Sequence, residues 1–273
     1  MMAALIDRRR LKADTKSMLA GASVSPKAMV ALYLAIALAL DLLTTFVGEA
    51  GLAATFLSIL TSLLLVVLNA GFVLYCMDIR SGSSSGFLTL FDGFSLVGKL
   101  IGLQLVIYVF TFLWSMLFVI PGIIAAYRYR FATYNLLENP DLGIFEALNM
   151  SKQQTLGYKS QLFALHMTYV GWDILAGLPA LVYSSYIQLT TFQNLLPFSI
   201  GSPIDQFATP EFMPLWGWVL ITGLWHLVVA LFYIPVCQCV ELGYFEIAKQ
   251  TSGVGATQQN FLSDSYDDSD SYI

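Results

Sequence analysis

Residues 110–142, FTFLWSMLFVIPGIIAAYRYRFATYNLLENPDL, are apolar enough to enter a bilayer, are interrupted at Pro121-Gly122, and carry Arg128 and Arg130 just past the interruption. An ionised side chain at mid-bilayer costs between ~2.5 and ~17 kcal/mol, depending on the reference state. The rest of the chain must therefore give these arginines partners, water or a route to the surface.

Composition agrees with that reading. Apolar and aromatic residues make up 57% of the 273 positions and charged residues only 11%, and the mean hydropathy is +0.71. Such values exclude an ordinary soluble domain. The apolar runs are continuous rather than alternating, which excludes a β-barrel. The expected class is all-α, a polytopic membrane helix bundle of about six transmembrane helices with amphipathic surface helices. Cys76, Cys237 and Cys239 lie in or beside the apolar runs and read as packing thiols. Cys237-x-Cys239 lacks further ligands nearby, so no metal or other cofactor is expected.

Positions 1–27 place Arg8, Arg9, Arg10, Lys12, Lys16 and Lys27 among apolar residues, as in a basic amphipathic helix lying on an anionic membrane surface. The basic region is too long for a cleaved signal sequence, and the following run is a full span. Span one covers 28–47, with Ala31, Ala35 and Ala39 as a small-residue seam. Span two covers 52–77. The Gly/Ser-rich stretch after it reads as a loop containing a literal G-x-S-x-G at Gly82, Ser84 and Gly86, which composition explains without a nucleophile. Span three covers 96–120 and enters through Gly98-x-x-x-Gly102.

Charge decides what happens at Pro121-Gly122. If the chain turns there and 123–137 crosses back, all 13 Lys and Arg fall on one side or within spans. If it only kinks, Lys152 and Lys159 move outside, against the positive-inside bias. The expected topology is thus six spans with both termini cytoplasmic, span four being short at ~24 Å. A surface helix follows, with Gly143 and Glu146 in capping-box positions and Phe145, Leu148, Lys152 and Gln153 along it. Span five covers 162–187. The connection 188–213 is long and acidic at Asp205 and Glu211. Span six covers 215–233, and a break at Pro235 leads into a polar-faced helix with Glu241, Glu246 and Lys249. Three regions are expected: 1–27 basic, 28–249 membrane domain, and 250–273 a disordered acidic tail.

LWSMLFVIPGII and LWHLVVALFYIP echo one another, as repeats of a transporter fold would. The candidate polar cluster consists of Arg128, Arg130, Asp41, Asn69, Asp173 and His226, at a depth of ~12 to 20 Å, with His166 shallower. The arginines point about 200° apart on a continuous helix, Arg130 with Tyr127 and Tyr134, Arg128 with Ile124 and Asn135. Either they line a wet pocket for an anionic group, or one pairs with Asp173 or Asp41. No nucleophile-base pair and no metal-ligand set is present in the pattern, so no catalytic residues and no enzyme are expected.

Trp114, the run 120–124 (IPGII), Tyr127, Tyr129, the run 139–142 (NPDL), Glu146-Ala147, Ser151, Gly157, Lys159 and Gly171-Trp172 form a long pattern. Together with the N-terminal RRLKADTKSML and the closing Ile234-Pro235 and Tyr244-Phe245, this pattern resembles the bacterial integral membrane proteins grouped as domain of unknown function 975. The chain departs from that family's pattern at Gly143, where serine is usual, at Tyr158, where histidine is usual, and in 188–213 and the acidic tail. A more distant similarity is to the membrane-anchoring domain of some glycerophosphodiester phosphodiesterases. The resemblance implies a multi-pass protein of the bacterial plasma membrane and carries no reaction with it. The expected role is a non-enzymatic envelope accessory or assembly protein. The alternative is a transporter or lipid-handling protein with an arginine-lined pocket. Membrane lipids, anionic headgroups and other membrane proteins are the expected partners, and nucleic acid is not.

Overall fold

The structure is a computed structural model that describes residues 6–47, 51–195 and 214–255, except for the side chains at 186, 187 and 189–195. Among the described residues the fold is all-α, as expected. The helices are α1 (Arg8–Ala20), α2 (Pro26–Val47), α3 (Leu52–Ser81), a 3₁₀ segment (Phe87–Leu96), α4 (Val97–Leu117), α5 (Val119–Arg128), α6 (Ala132–Glu138), α7 (Ile144–Gln154), α8 (Lys159–Met167), α9 (Val170–Leu195) and α10 (Leu215–Ser252). Among the described residues, four segments are long and apolar enough to cross a membrane: α2, α3, Phe87–Leu117 and α10. The pair α8 and α9, bent by 49° at residues 168–169, makes a fifth. The chain forms two compact units, one of residues 8–97 and 164–240, the other of 98–163 with 241 onward and the chain start.

In the first unit, α3 packs on α2 and on the 3₁₀ segment. Tyr33, Phe72 and Tyr75 stack in a row at 6.2 Å spacings, and the Tyr75 hydroxyl donates to the Val24 carbonyl at 2.7 Å. The stretch read as a loop is thus partly helical. Its apolar FLTLF portion folds so that Leu90 is fully buried against α3 at Gly71. Gly82 ends α3 in the left-handed conformation, with φ 75°, and its N–H closes onto the Asp78 and Ile79 carbonyls. The first glycine of the G-x-S-x-G match is therefore a helix cap. Helix α9 meets α10 through Tyr183 stacked on Trp218 at 5.1 Å and the Trp225 indole N–H donating to the Leu175 carbonyl at 2.8 Å.

The second unit is organised by a hairpin. The chain leaves α4 at Phe118, whose backbone is extended, and returns as α5 and α6. Near the turn Gly122 faces Ser115. Further along α4, Phe110 stacks on Tyr129 at 5.9 Å. At its start the Lys99 ammonium donates to the Leu142 carbonyl at 3.3 Å. Partners thus descend along α4 as they ascend along the return limb, which is what antiparallel helices require. The chain doubles back as charge bias demanded, but the joint is Phe118 rather than Pro121-Gly122. Pro121 stands in the first turn of α5, where a missing N–H removes no helical bond.

Two other expectations change. The return limb is two short helices, Val119–Arg128 and Ala132–Glu138, rather than one span, and this accounts for the difference from six. Helix α10 runs unbroken through Pro235 for 38 residues. A proline forfeits one backbone bond and strains one turn, and here the helix continues on both sides of it. The two echoing segments consequently fold differently, one as a hairpin and the other as a single helix, so the echo has no structural counterpart. In 188–213, residues up to Leu195 extend α9, and Asp205 and Glu211 lie outside the described residues.

Candidate functional site

In the first unit, α2, α9 and α10 line an open cavity of about 260 Å³. Its walls are made by small residues, Ala37 on α2, Ala176, Gly177 and Ala180 on α9, and Gly223 on α10, where larger side chains would fill the space. Gly223 lets α10 approach Leu38 so closely that an added β-carbon would meet it at 2.3 Å. Into this apolar setting two ionisable side chains open, Asp41 and His226. Both are exposed, and among the described residues neither side chain has a hydrogen-bond partner. Asp41 stands 15 residues into an apolar helix of 22, where a carboxylate turned to lipid would be costly. Thr222, the lining hydroxyl, already donates to the Trp218 carbonyl at 2.9 Å. The cavity thus offers an anion or a neutral acid, an imidazole and an apolar wall, a set suited to a small cationic or hydrogen-bond-donating group.

The arginines are handled by the second unit. Arg130 makes a bidentate pair with Glu241 of α10, its Nε donating to Oε1 and its Nη2 to Oε2 at 2.9 Å. Glu241 is 1% exposed and Arg130 46%. The carboxylate partner of Arg130 is therefore Glu241, not Asp173 or Asp41, the acids offered from sequence. Asp173 instead accepts from the Tyr233 hydroxyl at 2.5 Å, in an aromatic stack of Tyr169, Tyr233 and Trp172. Arg128 is half-buried at the end of α5. Its carbonyl accepts from the Ser151 and Thr155 hydroxyls, at 2.9 and 3.3 Å, and Ser151 also accepts from the Phe131 N–H at 3.1 Å. These bonds satisfy backbone groups freed where α5 stops and α6 begins. The break also spoils the helical arithmetic beyond it. Tyr134 is buried against Phe131 and Phe245, and Asn135 exchanges two amide hydrogen bonds with Gln154, at 2.8 and 2.9 Å.

His166 is half-buried on α8, and Asn69 is exposed on α3. Neither they nor the arginines line the cavity of Asp41 and His226. Of the polar residues proposed from sequence, the structure brings those two together. Pro121 and Gly122 lie in the α4–α5 hairpin and Pro235 within α10.

Residues 116–202 match the family described as protein of unknown function (DUF975). No curated protein and no solved structure matches the chain. Within the DUF975 segment, much of the pattern has a packing role. Ala147 and Ser151 form the buried face of α7 against α6. Gly157 turns the chain at φ 86°, where a side chain would be strained. Glu146 accepts from the Gly143 N–H at 3.4 Å, so half of the capping box forms. The outward half needs a cap side chain that glycine lacks. Sequence reasoning missed Glu241, Ser151, Thr155 and Gln154 as partners of the arginine limb. One signal pointed to Glu241: it is the only acid in the apolar run 234–245.

Proposed function

We propose that this protein is a non-enzymatic, multi-pass protein of the bacterial plasma membrane that holds a small polar or cationic group of a lipid or solute inside the membrane. The site is the cavity between α2, α9 and α10, and the observation that carries the reading is the placement of Asp41 and His226 in it together. Of the two roles expected from the sequence, lipid or solute handling is preferred over assembly, because it needs an intramembrane cavity. The expected arginine lining is replaced by an acid and an imidazole. A binding rather than a catalytic reading is supported by the lining hydroxyl, Thr222, which is turned back onto α10 and is not poised as a nucleophile.

Thiol labelling in a cysteine-free background tests this. Ala180→Cys is expected to react about tenfold faster with a cationic methanethiosulfonate than with an anionic one of equal size, because a carboxylate in a low-dielectric cleft concentrates cations. Asp41→Asn should remove the preference. Equal rates in both backgrounds, or no labelling at all, would refute the proposal.

Both termini are assigned to the cytoplasm, supported by the hairpin at Phe118 and the positive-inside bias. Lys152→Cys is then expected to be labelled by an impermeant reagent in inside-out vesicles and protected in intact cells. Labelling in intact cells would invert the topology.

A further inference from the structure

A second cavity of about 620 Å³ lies in the same unit, where the basic helix α1 passes into the span α2. We propose that it is a binding site for the headgroup of an anionic phospholipid, with the first part of the acyl chains laid along α10. The volume falls within the ~300–1,000 Å³ of sites that hold drug-sized molecules. Its polar side carries the ammonium groups of Lys16 and Lys27 with the hydroxyl of Ser25, while the Ser23 hydroxyl donates to the Ser85 carbonyl at 3.0 Å, and no carboxylate lines it. Its other wall is apolar and belongs to α10, with Leu231, Phe232 and Val236. A phosphodiester with two hydrocarbon chains is the ligand that needs both sides at once.

Three further features agree. The Lys27 ammonium lies 5.4 Å from the centre of the Phe232 ring, so one cation is already held at the seam between the polar and apolar walls. Ser25 immediately precedes α2, and its carbonyl accepts the first helical bond from Met29 at 3.1 Å. The positive end of a 22-residue helix thus opens on the same space. The cavity also has the right level, since its residues straddle Pro26, where the apolar run of α2 begins. This site stands apart from the cavity of Asp41 and His226, and neither proposal depends on the other.

The test is native mass spectrometry of the full chain in detergent containing equal amounts of phosphatidylglycerol and phosphatidylcholine with identical acyl chains. The expected result is selective retention of phosphatidylglycerol, which needs no variant to observe. Lys16→Gln with Lys27→Gln should weaken retention about 30-fold, each lysine near an anionic lipid contributing about fivefold. Val236→Trp, which fills the apolar side and keeps both ammonium groups, should also abolish it. Arg10→Gln with Lys12→Gln removes the same charge from α1 away from the cavity, and retention should persist. Equal retention of the two lipids would overturn the proposal. So would equal loss in the two charge-matched double variants, which would signal diffuse surface attraction. Displacement by inorganic phosphate or glycerol 3-phosphate as effective as by the lipid would assign the site to a soluble phosphate instead.

Discussion

Arg130→Ala is expected to destabilise the protein by roughly 3–5 kcal/mol, because it removes the cation facing a carboxylate withdrawn from solvent. The asymmetry of the pair makes the prediction specific. Glu241 is 1% exposed, whereas Arg130 is 46% exposed. A guanidinium that loses its acid can turn toward water or headgroups along its flexible stem, but Glu241 is fixed within α10. Glu241→Gln should therefore cost less, about 1.5–3 kcal/mol, the size of a hydrogen bond to a charged group. Arg130→Met with Glu241→Met should return most of the stability, since an apolar pair of similar volume carries no desolvation penalty. Thermal unfolding in detergent checks the series. Midpoint losses on the order of 10 °C are expected for Arg130→Ala, with the double variant above either single. A double variant as unstable as Arg130→Ala would show that the pair acts through more than its charge.

Gly71→Ala should be the most damaging single methyl in the first unit. A β-carbon there would lie 1.9 Å from the Leu90 carbonyl oxygen and 2.5 Å from its carbon. These are backbone atoms, so no side-chain rotation relieves the clash. From the other side, a β-carbon on Gly93 would meet the Val67 carbonyl oxygen at 2.5 Å, so the 3₁₀ segment touches α3 backbone to backbone at both points. Overpacking usually costs about 1–3 kcal/mol, and a contact this short belongs at the upper end or beyond. Hydrogen exchange over 87–96 should rise as the segment lifts away. Gly98→Ala, where nothing lies within 4 Å, should leave both stability and exchange unchanged. Unaltered exchange in Gly71→Ala would mean that the two backbones do not meet.

What could be read from the sequence was whatever depends on neighbours along the chain. Hydropathy over some 20 residues locates α2, α3, α4 and the start of α10 because lipid imposes one rule on every side chain in a span. Charge bias located the reversal after α4, and the Gly143 to Glu146 spacing located the start of α7. What could not be read depends on meetings across the chain. Arg130 and Glu241 are separated by 111 positions. Which acid reaches an intramembrane arginine is set by helix packing, which hydropathy does not report. The depth estimate that favoured Asp173 and Asp41 also assumed an unbroken helix through Tyr129, and the structure breaks it there. Within the cavity, Asp41 and His226 were recognised singly as costly residues. Their convergence follows from Gly177, Ala180 and Gly223, small residues that the pattern of spans does not distinguish from ordinary packing.

The hydroxyls of Ser151 and Thr155 have a consequence for how the chain enters its membrane. They supply the Arg128 carbonyl and the Phe131 amide, and both belong to a region made after the limb that needs them. A nascent chain emerges amino end first, so the return limb leaves the ribosome with two backbone groups that hydrocarbon cannot solvate. Its release into lipid is therefore expected to wait on α7, with the hairpin and the helix that follows it integrated as one piece.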